Sequence, residues 1–132
     1  MATLTDEQRA FLRDNAFAGV ATTLREDGSP HTTVVWVDED NGDVMFNTAR
    51  GRAKANHLEK DARASVLMVD PNDAFKYVTV SGPAELTEEG ADAHIDHLAK
   101  KYMGVDEYPY RDPSETRVIV RVKPDKVTAS GL

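Results

Sequence analysis

The residues best placed to do chemistry lie in one short basic stretch, FNTARGRAKANHL, at positions 46–58. Three cations are gathered there within a chain whose formal net charge is -7. A β-rich run opens the stretch, and a segment without β-branched residues follows, which is typical of a strand that leads into a helix. Arg50, Arg52 and Lys54 therefore straddle a helix N-terminus, where the free backbone amides and the helix dipole favour an anion.

Two interpretations of these cations stay open at this point. A cation in the first turn of a helix costs about 0.3–1 kcal/mol, which is small if the side chain is solvated. Alternatively, a ligand phosphate lies among the free amides and the cations complete its site, and the position between strand and helix favours this second interpretation. Asn47 and Thr48, just before the helix, either cap it or donate hydrogen bonds to a ligand at the strand end.

Several other kinds of reactive site are disfavoured. The chain has no cysteine, which excludes disulfides, thiolate metal sites and cysteine nucleophiles. His94 and His97 stand three residues apart on a predicted helix, but no third ligand follows at metal spacing, so we expect a solvated helix face and no metal site. No serine lies in a nucleophile-elbow context. The residues alone therefore assign no catalytic group.

Length and charge limit the class of protein. A chain of 132 residues predicts a single domain, 1–132. Its net negative charge opposes general attraction to nucleic acid or to an anionic membrane surface. The first residues lack the apolar run of a signal peptide, and no window approaches the 18 or so apolar residues of a membrane span. We expect a cytoplasmic protein that binds a small molecule, with no nucleic acid or membrane partner.

The elements that position the basic stretch alternate between short strands and helices. Thr5 to Gln8 form a capping box ahead of a helix over about 6–14. Asp27-Gly28 and Asn41-Gly42 separate three β-rich runs, which predicts an antiparallel meander. Further strands are predicted in ARASVLMVD, FKYVTVSG with a continuation past Pro83, TRVIVRVKP and DKVTAS, and a further helix ends near 103. We predict a mainly β, α+β fold: a small antiparallel barrel of six or seven strands with two or three peripheral helices.

The order of these segments resembles a known family. The hairpin ATTLREDGSPHTTVVWV, then VMFNTARGRAKANHL, DARASVLMVD and YVTVSGPAEL, is similar to the pyridoxamine 5'-phosphate oxidase-like (PPOX-class) split β-barrel family over about residues 8–130. The most specific motif is RAKANHL at 52–58, together with the segment 61–65 downstream. Within the family, the chain most resembles the branch that uses the deazaflavin coenzyme F420.

The resemblance implies a fold of the FMN-binding split barrel type and a homodimer with the cofactor at the subunit interface. It implies that Arg52 and Lys54 hold the cofactor phosphate, with Arg50 directed toward the anionic tail. It also implies that a second set of residues lines the ring and ribityl chain: Thr33, Phe46, Asn47 and Thr48. Phe75 and Tyr77 correspond to aromatic positions that the partner subunit contributes near the ring. On the residues alone, Phe75, Tyr77, Trp36 and Tyr102 are typical of a core or a subunit interface.

The function expected from the resemblance is an F420H2-dependent reductase that delivers a hydride to an enone, quinone or tetrapyrrole. The absence of an acid-base dyad agrees with this, because hydride transfer is the cofactor's own chemistry. Oxidation of pyridoxamine phosphate is disfavoured, since the C-terminal KPDKVTASGL lacks the tryptophan- and serine-rich substrate segment of those oxidases. Two alternatives stay open: an oxidoreductase that uses FMN, which shares the phosphate, and a non-enzymatic protein that binds F420, flavin or haem.

Overall fold

An antiparallel sheet of eight strands carries three helices in the computed structural model, which describes residues 2–132. The helices are α1 (Asp6–Asp14), α2 (Ala53–Lys60) and α3 (Ala91–Met103). The strands are β1 (Gly19–Leu24), β2 (Pro30–Val35), β3 (Asp38–Asp40), β4 (Asp43–Ala49), β5 (Arg63–Asp70), β6 (Asp73–Thr87), β7 (Arg117–Val122) and β8 (Lys126–Ser130). The strand order is β2-β1-β5-β6-β7-β4-β3, with β8 paired to β6, so the sheet is open and the predicted mainly β class is confirmed.

Two hairpins form where the sequence predicts them. Asn41 and Gly42 both have positive φ, 52° and 85°, as the tight turn between β3 and β4 requires. Gly28, with φ 84°, closes the turn between β1 and β2. The predicted three-stranded meander is nevertheless wrong, because β2 lies at the edge of the sheet next to β1, while β4 pairs with β3 and β7. The chain leaves β2 at Val37, whose N–H donates to the Tyr102 hydroxyl and whose carbonyl accepts from Lys101, both on α3.

Strand β6 is the longest element of the sheet. Its first part pairs with β5 and β8, and its last four residues, 84–87, pair with β7. The change of partner follows Gly82, where an added Cβ would lie 1.8 Å from the Lys123 carbonyl oxygen, so no larger residue fits without displacing backbone. The predicted continuation of the strand past Pro83 is confirmed.

The hydrophobic core lies under α1, on the inner face of the sheet. Alternate residues of β5, β6 and β7 are buried there, as the period of a half-buried strand requires. Phe11 and Leu12 of α1 pack onto them, and the predicted capping box at Thr5 and Gln8 is present, with Gln8 N–H 3.1 Å from Thr5 Oγ1. The fully buried members include Met68, Val78, Val80, Val120 and Phe46.

Helix α2 begins after a sharp turn at Gly51, which has φ 87°. Arg52 is its N-cap, and no side chain caps the helix, so neither Asn47 nor Thr48 has the capping role that was one of their two interpretations. Ala55 and Leu58 face the core, while Ala53 is exposed. Within residues 2–132, no helix is long and apolar enough to cross a membrane.

Candidate functional site

A groove of about 250 Å³ lies where β2, β4 and the start of α2 meet α3 and the loop that precedes β7. One wall is apolar and aromatic, and it is formed by Val34, Val35, Trp36, Ile95, Leu98, Tyr108 and Tyr110. The opposite end is polar and carries three cations, and it is formed by Asn47, Thr48, Arg52, Lys54 and Arg117. The groove therefore suits a ligand with a flat apolar part and an anionic part.

Lys54 is the cation of this groove that lacks a counter-charge. Its side chain is half-buried, and no carboxylate in residues 2–132 forms an ion pair with it. Burial, followed by the charges of Arg52 and Arg117, lowers the pKa of the Lys54 ammonium. The site therefore concentrates positive charge at the first turn of α2, where unpaired backbone amides add to it. An anion is the partner that this arrangement lacks.

The two arginines of the basic stretch are already paired. Arg50 donates to Glu59 at 2.7 Å and to Glu88 at 3.1 Å, and it does not line the groove. Arg52 does line the groove, and its Nε donates to Glu115 at 3.0 Å. Ion pairs with carboxylates thus account for the charge of Arg50. The charge of Lys54 and, in part, that of Arg52 are left for a ligand to compensate.

Asn47 and Thr48 both line the groove, as the sequence predicts for its strand end. The Thr48 hydroxyl is buried and has no hydrogen-bond partner in the described part of the chain. Such an orphaned polar atom costs about 1–3 kcal/mol unless something binds it. The Asn47 amide, by contrast, is fully engaged by protein groups, so it holds neighbours in place more than it offers bonds to a ligand.

Arg117 is a groove residue that the sequence reasoning missed. Its guanidinium is buried, donates from Nε to Asn47 Oδ1 at 2.9 Å, and lies 5.3 Å from the centre of the Tyr108 ring. Glu115 lies 3.4 Å from its Nη1. An arginine at the very start of a valine-rich strand is the one signal in the sequence that points to it.

The aromatic wall of the groove also consists of residues that the sequence analysis did not assign to the cofactor site. Trp36 stacks on Tyr102 with ring centres 5.5 Å apart and planes 13° apart, and Tyr108 meets Trp36 edge-on at 6.1 Å. Tyr108 and Tyr110 belong to the proline-containing loop, which gave no helical or strand pattern to place them. Tyr110 and Val34 are 68% and 70% exposed on the rim, so the wall is incomplete in a single chain.

Four other residues predicted for the cofactor lie outside the groove of this chain. Phe46 is wholly buried in the core, and it does not line the groove. Thr33 pairs with Ala21 on β1 and has a buried hydroxyl without a partner, but it does not line the groove. Phe75, 81% exposed, and Tyr77 lie on β6, and their contribution to a partner's groove stays a prediction.

His94 corrects the expectation of a solvated helix face. It is buried, with Nδ1 3.2 Å from Asn47 Nδ2 and Nε2 3.5 Å from Asp38 Oδ2, while His97, 3.5 Å from the same oxygen, is exposed. Burial alone would raise the pKa of Asp38, but His94 and the Glu39 N–H hold it below its ordinary value. Across residues 2–132, no three His, Cys, Asp or Glu side chains gather closely enough to hold a metal ion.

A larger depression, of about 520 Å³, lies on the other side of α2. Its cations are engaged: Arg25 donates to the Pro30 carbonyl at 2.6 Å, and Lys60 lies 3.9 Å from Glu26. It lacks the aromatic wall and the unpaired cation of the groove, which remains the better candidate despite its smaller volume.

Known proteins share this fold. The family model for pyridoxamine 5'-phosphate oxidase matches residues 4–131. A solved structure named F420 Reductase superposes with a TM-score of 0.79 at 23% identity, covering 94% of this chain and 98% of that one. A conserved hypothetical protein from Mycobacterium tuberculosis superposes at 0.73 with 25% identity, covering 96% and 84%. A putative pyridoxamine 5'-phosphate oxidase from Lactobacillus delbrueckii superposes at 0.67 with 19% identity, covering 96% and 94%. The split-barrel fold predicted from the sequence is thereby confirmed.

Proposed function

The chain belongs to the pyridoxamine 5'-phosphate oxidase family of oxidoreductases, whose members bind flavin-type cofactors, and we propose that it is an F420H2-dependent reductase. It takes a hydride from the reduced deazaflavin and delivers it to an unsaturated organic acceptor of the enone, quinone or tetrapyrrole type. The cytoplasm is its proposed location.

One observation carries the proposal: Lys54 is a half-buried cation without a carboxylate partner, at a helix N-terminus, beside Arg52 and Arg117. Thr48, whose buried hydroxyl has no hydrogen-bond partner within residues 2–132, lines the same groove. Together they fit a phosphate that is held by charge and by backbone amides. The superposition with the structure named F420 Reductase supports the deazaflavin over other phosphate-bearing cofactors.

In this proposal, Lys54, Arg52 and the first amides of α2 hold the phosphate. Arg117 supplies a further positive charge, and Thr48 donates or accepts a hydrogen bond within the groove. Val34, Trp36, Tyr108 and Tyr110 form the apolar wall that excludes water from the face of a planar ring. The bound deazaflavin supplies the hydride, and the protein contributes binding, orientation and exclusion of solvent.

The second candidate cofactor is FMN, because the family model and one superposed structure bear the name of pyridoxamine 5'-phosphate oxidase. FMN also carries a phosphate, so Lys54 and Arg52 serve either cofactor. F420 and FMN differ in the ring and in the tail. In this proposal, Lys54 and Arg52 contact neither of these parts of the cofactor.

We also propose that a second copy of this chain covers the open side of the groove. The rim residues Val34 and Tyr110 are large, apolar and exposed, as is Phe75 on β6. Large exposed apolar side chains at a ligand groove are typical of an interface. In the homodimer, Phe75 and Tyr77 of each protomer lie toward the cofactor of the other. Light scattering on a size-exclusion column tests this, and a monomer with bound cofactor contradicts it.

The test of the function is a side-by-side fluorescence titration of the purified protein with F420 and with FMN, followed by turnover of F420H2 against an acceptor panel. We expect F420 to bind more tightly and to be oxidised in the presence of at least one acceptor. Tight FMN binding without F420 affinity establishes the alternative cofactor. Tight F420 binding without turnover on any acceptor establishes a carrier protein instead of an enzyme.

A further inference from the structure

Behind the groove, three polar side chains are joined by hydrogen bonds, and a fourth, Asp38, lies beside them without a hydrogen bond to them. Asp38 of β3 lies 3.5 Å from His94 Nε2 on α3, and His94 Nδ1 lies 3.2 Å from Asn47 Nδ2 on β4. Asn47 Oδ1 accepts from Arg117 Nε on β7 at 2.9 Å. Three of the four, Asp38, His94 and Arg117, are more than nine-tenths buried. The chain ends on a cation that lines the groove.

The hydrogen-bond chemistry fixes the direction of this chain. A guanidinium can only donate, so the Asn47 oxygen must face Arg117 and its NH2 group must face His94. That NH2 group also donates to the Ala91 carbonyl at 3.0 Å, which leaves its second hydrogen for His94 Nδ1. The Nδ1 atom must then be an unprotonated acceptor, and the single ring proton must lie on Nε2, toward Asp38.

We propose that His94 is a positioning residue of the groove. The lone pair of its Nδ1 fixes the orientation of the Asn47 amide, and the oxygen of that amide aims the Arg117 guanidinium at the anionic part of the bound cofactor. The inference rests on the proposed function, because it takes the groove as an anion-binding cofactor site. It adds a role for two buried residues, His94 and Asp38, that do not touch the groove volume themselves. Asp38 places a carboxylate oxygen 3.5 Å from Nε2, although Nε2 makes no hydrogen bond within residues 2–132.

A second ring proton would break the arrangement. Protonated at Nδ1, His94 would present a donor to the donor of Asn47, and the amide would have to turn its oxygen away from Arg117.

Two variants of similar size separate the Nδ1 role from mere packing. His94→Asn leaves an acceptor at the position of Nδ1, whereas His94→Gln carries its amide at the position of Nε2. We expect His94→Gln to weaken F420 or FMN binding by about tenfold and His94→Asn by less than about threefold, with similar thermal midpoints. Equal losses in the two variants, or no loss in either, overturn the proposal.

Nitrogen NMR of the histidines in the free protein keeps the two proposals apart. An unprotonated Nδ1 on His94 at neutral pH supports the positioning network, and a protonated Nδ1 overturns it whether or not any cofactor binds. A wild-type protein that binds neither F420 nor FMN defeats the proposed function and, with it, the role of the network in binding. Normal cofactor binding with indistinguishable His94 variants defeats the positioning role alone.

Discussion

Two charged clusters of the molecule differ in whether their charges have partners. In the Glu39 cluster, the carboxylate side chain is 1% exposed and is met by Arg9 at 2.8 Å, Arg13 at 3.5 Å and the Gly42 N–H at 2.7 Å. In the groove cluster, defined as Arg52, Lys54 and Arg117, Glu115 is the carboxylate that pairs with the two arginines, and Lys54 has no ion-pair partner among residues 2–132.

The contrast shows what each cluster is for. The Glu39 cluster is complete within the chain, and its contacts join α1 to β3, so its charges serve the fold. The groove cluster leaves a half-buried cation uncompensated, which costs stability unless a ligand supplies the missing charge. Changes in the first cluster should therefore alter folding and spare binding, and changes in the second should do the reverse.

The largest effect is expected from Glu39→Gln. The change removes a buried charge from two arginines and weakens the contact between α1 and β3. We expect the free energy of unfolding to fall by about 2–3 kcal/mol, less than for a fully buried pair because Arg9 and Arg13 are 34% and 47% exposed. Urea denaturation measures it. Cofactor affinity should be unchanged, and a large loss of affinity at constant stability would erase the distinction between the clusters.

Lys54→Ala tests the groove cluster. Removal of the cation that pairs with the cofactor phosphate should weaken binding by about 1.5–3 kcal/mol, while the free energy of unfolding stays within about 0.5 kcal/mol. Titration of F420 and of FMN measures the first, and urea denaturation the second. Unchanged affinity for both cofactors refutes the role of Lys54.

The matched control is Arg50→Ala, which removes one positive charge from the same stretch at a residue already paired with Glu59 and Glu88. Its affinity should stay within about twofold of the wild type, because exposed ion pairs contribute about 0–1 kcal/mol and the side chain is outside the groove. Equal losses in the two variants would point to long-range electrostatics instead of a phosphate contact.

Lys101 sharpens the comparison, because it too is a partly buried cation without a carboxylate ion pair among residues 2–132. Its ammonium donates to the carbonyls of Leu12 at 2.9 Å and Val37 at 2.6 Å, so its hydrogen bonds are satisfied by the chain. Burial lowers its pKa to about 8 from 10.5. The folded state thus loses this proton before the unfolded state does, and stability should rise with pH through that interval.

We expect the free energy of unfolding to increase by about 1 kcal/mol from pH 8 to 10, allowing for the partial exposure of the side chain. Burial raises the pKa of Tyr102 to about 12, which opposes the trend only above about pH 10, where the tyrosine of the unfolded chain ionises. Lys101→Met should abolish the rise. A rise of the same size in that variant assigns it to another group, and altered cofactor affinity would make Lys101 part of the site.

The smallest effect is expected from Thr48→Val. The variant replaces a buried hydroxyl that lacks a partner with a methyl group of the same shape, so the free energy of unfolding should be unchanged or higher by up to about 1 kcal/mol. Cofactor affinity should fall by about 0.5–1 kcal/mol, the net worth of a neutral hydrogen bond. Calorimetry of unfolding and of binding measures both. A clear loss of stability would mean that the hydroxyl serves the fold.

Local signals in the sequence predict much of this fold. The capping box at Thr5 and the Asn41-Gly42 turn act within four residues, so their outcome does not depend on the rest of the chain. The anion site at Lys54 is predicted for the same reason, because helix electrostatics acts within one turn. The short-range part of the architecture and the basic end of the groove are therefore contained in segments of a few residues.

The features that the sequence does not predict depend on contacts between residues far apart in the chain. Strand β4 pairs with β7, about 70 residues later in the chain, and not with β2, and no local pattern shows this. The presence of Arg117 in the groove depends on Asn47, 70 residues earlier. The resemblance implied a ring-lining role for Phe46, which the core of this chain buries, and the spacing of His94 and His97 does not show that Asn47 and Asp38 cover His94.

The long strand β6 has a consequence for the order in which the protein can fold during its synthesis. It contacts β5, β7 and β8, while β4 reaches the rest of the sheet through β7. Until residues 73–87 have left the ribosome, β5 has β1 on one side and an open edge on the other, with Val66 and Met68 uncovered. The long-range pairing of the sheet must therefore wait for the later part of the chain, and the groove is completed only when β7 adds Arg117.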